Sequence, residues 1–318
     1  MQENQIISIL REQLSKKIIG QKYMIDRILL GLLTDGHILI EGVPGLAKTL
    51  AIKSLAHCFD AKFSRIQFTP DLLPADVTGT IIFNQANNEF KISKGPIFAN
   101  IVLADEINRA PAKVQSALLE AMQEKQVTIG ETSYQLEQPF LVLATQNPLD
   151  HEGTYVLPEA QLDRFMFKLK IDYPTEVEEL QIIKDKILPE LSNPINQIAT
   201  LSDLENTKKL VQNIFLDEKI QDYIIRIVFS TRYPSKYNLG EIAQFISCGG
   251  SPRASINLAI ASKAQAFLNG REIVYPEDVK AICKDVLRHR IGLTYEAMAE
   301  KITVEDIIDI ILKNTQTP

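Results

Sequence analysis

The stretch Gly42–Thr49, with the sequence GVPGLAKT, constrains this chain more than any other. It follows the apolar run 37–40, which predicts a short buried strand, and it leads into residues 50–56, whose pattern predicts a helix. A glycine-bearing loop between a strand and a helix is typical of a phosphate-binding site, because backbone N–H groups and the positive helix N-terminus face the anion. Lys48 can then reach the terminal phosphates, and the Thr49 hydroxyl can bind Mg²⁺.

Ala47 departs from the general form of this loop, which has glycine immediately before the lysine. Alanine is acceptable there if the residue has helical dihedral angles, and only a positive φ would penalise it. The alternative is an ordinary strand-to-helix turn that contains glycine and proline. The rest of the chain has to decide between these two interpretations.

Composition and charge exclude several classes of protein. The 318 residues are 45% hydrophobic and 23% charged, which fits a globular protein with room for two domains. The net charge is −6, and residues 1–174 and 175–318 each carry 17 basic and 20 acidic side chains. This acidic balance disfavours nucleic acid as the main partner. No apolar run is long enough to span a membrane, and residues 1–4 do not resemble a signal peptide, so we expect a cytoplasmic protein. The 3 cysteines and 4 histidines lack the spacing of a disulfide framework or a zinc site.

Polar side chains follow two further predicted strands. Asp105 and Glu106 come directly after the apolar run 101–104, and Asn147 follows the run 140–145. Ligands of open parallel sheets bind at the carboxyl ends of the strands. Asp105 is then placed to hold Mg²⁺, Glu106 to orient and deprotonate a water, and Asn147 to contact that water or a γ-phosphate. The alternatives are a solvated acidic turn and a plain Asn-Pro turn.

Two arginines stand where an anion could meet them. Arg164 opens the last predicted strand, 165–171, and the alternative for it is a surface salt bridge. Ser251 and Pro252 predict the start of a helix, as N-cap and first helical residue. Arg253 then projects from the first turn, where a cation opposes the helix dipole unless an anion such as phosphate lies in front of it.

The pattern of elements changes at Tyr173-Pro174, from alternating strands and helices to helices only. We therefore expect an α/β domain over residues 1–174 and a helical domain over residues 175–318. Within the first domain, two hairpins are predicted: 80–83 with 89–92 around a tip at 84–88, and 126–129 with 134–136 around 130–133. Pro70 and Pro74 bar a regular helix before the first hairpin. The helical segments are expected near 177–188, 206–214, 217–230, 240–247, 252–269, 277–288 and 303–313.

Five motifs, taken in order, resemble those of the MoxR family of AAA+ ATPases, and the resemblance covers nearly the whole chain. They are GHILIEGVPGLAKT at 36–49, LADEINRAP at 103–111, ATQNP at 144–148, LPEAQLDRF at 157–165 and GSPRA at 250–254. The loop of that family has alanine before the lysine, so Ala47 agrees with the narrower pattern. The resemblance implies an AAA+ P-loop NTPase fold: a parallel-sheet core with helix-2 and pre-sensor-1 hairpin inserts, followed by an all-α lid domain.

The resemblance also implies a role for each of the residues noted above. The roles are Walker A for Lys48 and Thr49, Walker B for Asp105 and Glu106, sensor 1 for Asn147, arginine finger for Arg164 and sensor 2 for Arg253. The implied nucleotide contacts are Gly20, Gln21, Gly42, Val43, Pro44, Gly45, Leu46, Ala47, Lys48, Thr49, Leu50 and Arg253. Gly20 and Gln21 fall where the family contacts adenine, although these residues alone fit a plain turn between helices equally well. Arg109 lies in a family motif, and its role stays open.

The function that the resemblance implies is Mg²⁺-dependent ATP hydrolysis between neighbouring subunits of a ring, usually a hexamer. Hydrolysis would drive chaperone-like remodelling or maturation of a protein client, for example metal insertion or complex assembly, often with a von Willebrand factor A domain partner. Three alternatives remain. They are a metal-chelatase motor that depends on a porphyrin-binding partner, a nucleic-acid motor with salt-sensitive, DNA-stimulated activity, and a nucleotide-gated scaffold that releases no phosphate.

Overall fold

The computed structural model describes residues 3–85, 88–148, 153–187 and 197–318. The helices are α1 (Glu3–Lys17), α2 (Lys22–Thr34), α3 (Lys48–Cys58), α4 (Pro74–Thr78), α5 (Ala112–Glu124), α6 (Glu159–Leu162), α7 (Glu176–Ile187), α8 (Leu201–Asn213), α9 (Glu218–Arg232), α10 (Gly240–Ala243), α11 (Pro252–Leu268), α12 (Pro276–Leu287), α13 (Tyr295–Ala299) and α14 (Val304–Asn314). The strands are β1 (Ile38–Glu41), β2 (Phe63–Gln67), β3 (Gly79–Asn84), β4 (Glu89–Lys94), β5 (Ile101–Asp105), β6 (Gln126–Ile129), β7 (Thr132–Gln135), β8 (Leu141–Gln146), β9 (Phe167–Lys170), β10 (Ile246–Cys248) and β11 (Gly292–Leu293).

A 5-stranded parallel sheet in the order β2-β5-β8-β1-β9 forms the centre of the first part of the chain. Glu41, the last residue of β1, is level with Gln146 at the end of β8. Asp105, the last residue of β5, is level with Gln67 at the end of β2. The carboxyl ends of the strands therefore lie along one edge, and the loop 42–49 leaves the sheet at that edge.

Both faces of this sheet are buried, which explains why its central strands are unbroken apolar runs. In β1, Ile38 and Ile40 belong to the hydrophobic cluster on one face, together with residues of α1, α2 and α3. Leu39 belongs to the cluster on the other face, where Val114 and Leu118 of α5 also lie. The alternation of side chains along a strand thus serves two cores at once.

Both predicted hairpins are present as antiparallel pairs, β3 with β4 and β6 with β7, although residues 86–87 of the first tip lie outside the described residues. Two details of the prediction were wrong. Thr132 and Ser133 belong to β7 rather than to the turn, so the turn is Gly130-Glu131 with Gly130 at φ 63°. The second is α4, which begins at Pro74. Proline is tolerated at a first helical position, because the N–H it lacks would have no partner within the helix.

The second part of the chain is helical, as predicted, but the expectation of helices only was wrong. The strands β10 and β11 form a 2-stranded antiparallel ribbon, so the predicted segment 240–247 is helical only over α10. Strands of 3 and 2 residues are too short to show an alternating pattern in the sequence. The last residue of the predicted segment 177–188 lies outside the described residues. Within the described ranges, no helix is long and apolar enough to cross a bilayer.

The helices of the second part pack directly on the first, with α11 against α2 and α12 against β9. One hydrophobic cluster accordingly contains residues from both sides of Pro174. At this contact Arg27 of α2 donates from Nε to Asp285 Oδ2 at 2.5 Å, and the Tyr23 hydroxyl donates to the other carboxylate oxygen. Such partners are what a buried charge requires. The division into domains at Pro174 stays a prediction.

His37 lies just before β1 and is buried. Its Nδ1 accepts a hydrogen bond from the Val142 N–H at 3.0 Å, so the neutral ring carries its proton on Nε2, 3.1 Å from the Met122 carbonyl oxygen. Protonation of Nδ1 would place a second N–H against that of Val142. Burial is the main cause that lowers the pKa of His37 from 6.5 to about 4.

We expect the free energy of unfolding to fall as the pH drops from 6.5 towards 4, because the unfolded chain binds a proton on this histidine there and the folded chain does not. The lost stability is on the order of 3 kcal/mol for this group. Urea unfolding across this pH range measures it. His37→Gln keeps a donor and an acceptor and should reduce the dependence, leaving the part that comes from His289, whose pKa burial also lowers. His57→Gln on the exposed side of α3 should leave the dependence unchanged. Equal pH dependence in His37→Gln and the native chain would contradict the assignment.

Candidate functional site

A cavity of about 420 Å³ lies at the carboxyl edge of the sheet, where the loop after β1 meets the ends of β5 and β8. Its lining consists of Gly42, Pro44, Gly45, Leu46, Ala47, Lys48, Thr49, Leu50, Arg65, Gln67, Asp105, Glu106, Thr145, Gln146 and Asn147. The structure therefore brings the predicted loop, both predicted carboxylates and Asn147 to one cavity. Four of these residues were not predicted: Arg65, Gln67, Thr145 and Gln146.

The loop contains one strained residue. Ala47 has φ 55° and ψ 18°, so it lies in the left-handed region and not in the helical one under which alanine was expected to be acceptable. A side chain in that region costs roughly 1–2 kcal/mol. Ala47 is the N-cap of α3, and the first backbone N–H groups of a helix have no partner within it. The turn at Ala47 thus places these donors at the cavity, and surrounding structure maintains the strain.

Lys48, the first residue of α3, projects into this cavity. Its Nζ donates a hydrogen bond to the Gly42 carbonyl oxygen at 2.6 Å. Burial lowers the pKa of Lys48, and the negative charges of Asp105 and Glu106 oppose that shift. A cation and two carboxylates therefore line one cavity, where an anion and a metal cation could bind between them.

Asp105 ends β5 with both carboxylate oxygens engaged. Thr145 Oγ1 donates to Asp105 Oδ1 at 2.6 Å, and the same hydroxyl accepts the Glu106 N–H at 2.9 Å. Arg65 donates to Asp105 Oδ2 from Nη2 at 2.6 Å and from Nε at 3.1 Å. Thr145 thus fixes the two acidic residues relative to each other.

Glu106 lies in the left-handed region, with φ 56° and ψ 49°, immediately after the strand. This conformation is uncommon for a residue with a side chain, and such strain is concentrated at functional sites. Gln67 Nε2 donates to Glu106 Oε2 at 2.8 Å, and Arg109 Nε lies 3.3 Å from the same oxygen. The structure therefore places Arg109, whose role the sequence left open, beside the candidate base.

The donor set fits a Mg²⁺ ion that is bound together with phosphate. Among the described residues, no group of three or more His, Cys, Asp or Glu side chains could hold a metal by itself. Mg²⁺ in nucleotide sites uses one or two protein ligands and completes its shell with phosphate oxygens and water. The Asp105 carboxylate and the Thr49 hydroxyl, which line the same cavity, are ligands of that kind.

A sequence signal could have identified two of the missed residues. Arg65 and Gln67 flank the buried Ile66 in β2, so the alternation places both on the opposite face from it. What the sequence could not supply was the neighbour of β2. Only the pairing of β2 with β5 brings these two side chains to Asp105 and Glu106.

Four predicted nucleotide contacts do not line the cavity as the described residues define it: Gly20, Gln21, Val43 and Arg253. Gly20 lies at φ 77° in the turn before α2, where a Cβ would stand 3.0 Å from the Cβ of Pro174. Gln21 Nε2 donates to the Asp172 carbonyl oxygen at 3.2 Å. Val43 packs against the hydrophobic cluster. Adenine recognition by Gly20 and Gln21 stays a prediction.

Arg164 lies at the opposite edge of the sheet from the loop. It precedes β9, whose first residue Phe167 is level with Ile38 at the start of β1. Its Nη1 donates to the Leu119 carbonyl oxygen of α5 at 2.9 Å. Arg164 is not part of the lining of the cavity in its own chain.

Arg253 occupies the predicted position at the start of α11. Ser251 is the N-cap, and its Oγ accepts the Arg253 N–H at 3.1 Å. The anion in front of Arg253 is a side chain, since Arg253 Nη1 lies 3.8 Å from Asp163 Oδ2. Arg290 Nε donates to the other oxygen of Asp163 at 2.7 Å. Arg253 is thus held beside the residue that precedes Arg164.

Comparisons with known proteins agree with this geometry. Residues 37–167 match the ATPase family associated with various cellular activities (AAA), and residues 241–311 match the AAA lid domain. Chaperone MoxR1 of Mycobacterium tuberculosis is 46% identical over 307 residues, which cover 96% of this chain and 81% of that protein. The uncharacterized protein YeaC of Bacillus subtilis is 44% identical over 311 residues, which cover 96% and 93%.

A solved structure is similar over the whole length. The crystal structure of a proposed ATPase from Cytophaga hutchinsonii has a TM-score of 0.94 and 49% identity, and the match covers 99% of this chain and 96% of that one. The relatives of this chain are therefore similar to it in both sequence and fold. This chain is an ATP-hydrolysing member of the MoxR family of AAA+ ATPases.

Proposed function

We propose that the chain hydrolyses ATP with Mg²⁺ at the interfaces between subunits of a ring, and that hydrolysis drives chaperone-like remodelling of a protein client. The observation that carries the proposal is the meeting of Lys48 and Thr49 with Asp105 and Glu106 in one cavity. Phosphoryl transfer depends on positioning and on compensation of charge, and these four side chains supply both.

Each residue of the cavity has a distinct task in this proposal. Lys48 contacts the β- and γ-phosphates, which the N–H groups of the loop also hold. Asp105 and Thr49 hold the metal ion, which when bound supplies positive charge to the phosphate oxygens. Glu106 orients the attacking water and accepts its proton, and Asn147 contacts that water or the γ-phosphate.

The position of Arg164 supports a role in a neighbouring subunit. It lies at the opposite edge of the sheet from the loop of its own chain, so it is available to a second chain and remote from the first cavity. An interface that joins two different surfaces of the same chain generates a ring if the rotation closes. Arg164 would then stabilise the charge that develops on the transferring phosphoryl group of its neighbour.

The position of Arg253 supports a link between the nucleotide and the helical part. Its guanidinium now lies 3.8 Å from the Asp163 carboxylate, and a γ-phosphate would be an alternative anion. Exchange between the two anions would shift the helices with the nucleotide state, as a two-state lever.

MoxR1, the relative named a chaperone, supports a protein as the client. We also propose that the chain works with a von Willebrand factor A domain partner, that it serves metal insertion or complex maturation, and that it acts in the cytoplasm.

The ring can be tested by measuring the mass of the assembly. We expect mass photometry of the full chain with Mg²⁺ and ATPγS to show a closed ring. The resemblance to the family implies that this ring is a hexamer. Lys48→Ala should weaken nucleotide binding and shift the population towards smaller species. A monomer at every nucleotide and protein concentration would contradict the proposed interface, although the ATPase assignment would stand.

A further inference from the structure

Arg65 contacts Asp105, the candidate metal ligand, through two hydrogen bonds. Its Nη2 and Nε donate to Asp105 Oδ2 at 2.6 and 3.1 Å, while Thr145 Oγ1 donates to Oδ1. Arg65 Nη2 also lies 3.2 Å from Gln67 Oε1. Both oxygens of the carboxylate are therefore engaged, and a cation that approaches Oδ2 meets a guanidinium.

The two contacts of Asp105 differ in how easily they can be given up. Thr145 is buried and also holds the Glu106 N–H, so its hydroxyl is fixed in place. The Arg65 side chain is 51% exposed, against 16% for Asp105, so its guanidinium can move into solvent and stay hydrated while an arriving cation pairs with the carboxylate. Displacement of Arg65 is therefore the less costly way to free an oxygen of Asp105.

We propose that Arg65 is a positioning residue, which holds the Asp105 carboxylate when no cation is bound and which a divalent cation must displace. The inference rests on the proposed role of Asp105 in metal binding. In the metal-free site Arg65 also offsets negative charge that would otherwise repel a triphosphate. Two opposite consequences follow: Arg65 assists nucleotide binding without metal and competes with the metal itself.

The experiment measures binding of a fluorescent ADP analogue, mant-ADP, to the full chain, first in EDTA and then over a titration of Mg²⁺. We expect Arg65→Gln to weaken binding in EDTA and to lower the half-saturating Mg²⁺ concentration by about twofold to fivefold, the range for a partly exposed ion pair. Arg65→Lys retains a competing charge and should stay near the native value. A structural defect would weaken mant-ADP binding in EDTA and would also raise the half-saturating Mg²⁺ concentration. Weaker binding in EDTA together with a lower half-saturating Mg²⁺ concentration therefore identifies competition between Arg65 and the metal.

Arg109→Gln is the matched control, because it removes a cation from the neighbouring Glu106 and not from Asp105. An equal fall of the half-saturating concentration in Arg65→Gln and Arg109→Gln would overturn the inference, since lost charge alone would explain it. Asp105→Asn tests metal binding by Asp105 separately from the role of Arg65. If it raises the Mg²⁺ requirement while Arg65→Gln leaves it unchanged, only the role of Arg65 is refuted. If it has no effect, the metal role of Asp105 fails and the inference fails with it.

Discussion

Glu106→Gln protein is expected to bind ATP like the native chain and to hydrolyse it about 10² to 10⁴ times more slowly, the range for loss of a general base. The amide has nearly the shape of the carboxylate and can still accept a hydrogen bond from Gln67 Nε2. The local fold should therefore survive while the proton acceptor is lost. Phosphate release in the steady state and equilibrium nucleotide binding are the two measurements.

The control for this variant is Glu300→Gln, which makes the same chemical change at an exposed position of the helical part. It should leave turnover unchanged. Turnover of Glu106→Gln within a factor of about two of the native rate would remove Glu106 from the role of base.

Glu106→Gln protein also offers the best route to the client, because it should bind ATP without hydrolysing it. A protein that the variant retains in ATP and releases in ADP binds in a way that depends on the nucleotide state.

Arg164→Ala is expected to lower turnover by about 10³ to 10⁵, the range for loss of an arginine finger in other nucleotide hydrolases. The physical reason is the missing positive charge at the phosphoryl group of the neighbouring subunit. Nucleotide binding by the unassembled chain should change little, because Arg164 does not line the cavity of its own chain. The measurements are again phosphate release and equilibrium binding, with the purified full chain.

Mixing two inactive variants separates this role from a structural one. Arg164→Ala keeps an intact cavity, and Glu106→Gln keeps an intact Arg164, so a ring that contains both has some complete interfaces. Random mixing in equal amounts makes about a quarter of the interfaces complete and should restore activity in proportion. Loss of the Leu119 contact alone would damage the Arg164→Ala subunit itself, and no partner could rescue it. Absence of rescue at every ratio would argue strongly against action across the interface.

The parts of the structure that were predictable are those encoded in short continuous stretches. The phosphate loop, the carboxylates that end β5 and the helix start at Ser251 each combine a local backbone preference with a few neighbouring side chains. Because the strands are parallel, these local predictions also placed Asp105, Glu106 and Asn147 at the same edge as the loop.

What could not be predicted depends on partners that are remote in the sequence. Arg65 and Gln67 become part of the site only through the pairing of β2 with β5. The contact of Arg253 with Asp163 requires the packing of α11 beside the segment that precedes β9. The left-handed conformation of Ala47 was not predicted for a different reason. A sequence motif shows which residue is tolerated at a position, but it does not show the backbone strain at that residue.

Asp163 has two cationic partners that differ greatly in burial, with 1% of the Arg290 side chain exposed and 44% of that of Arg253. If Arg253 departs, Arg290 still neutralises the carboxylate, so no lone charge is stranded in the interior. The departure then costs no more than an exposed ion pair, about 0–1 kcal/mol. That is close to thermal energy, so in its proposed role Arg253 would leave Asp163 and return freely, and a weakly bound phosphate would be sufficient to shift this balance.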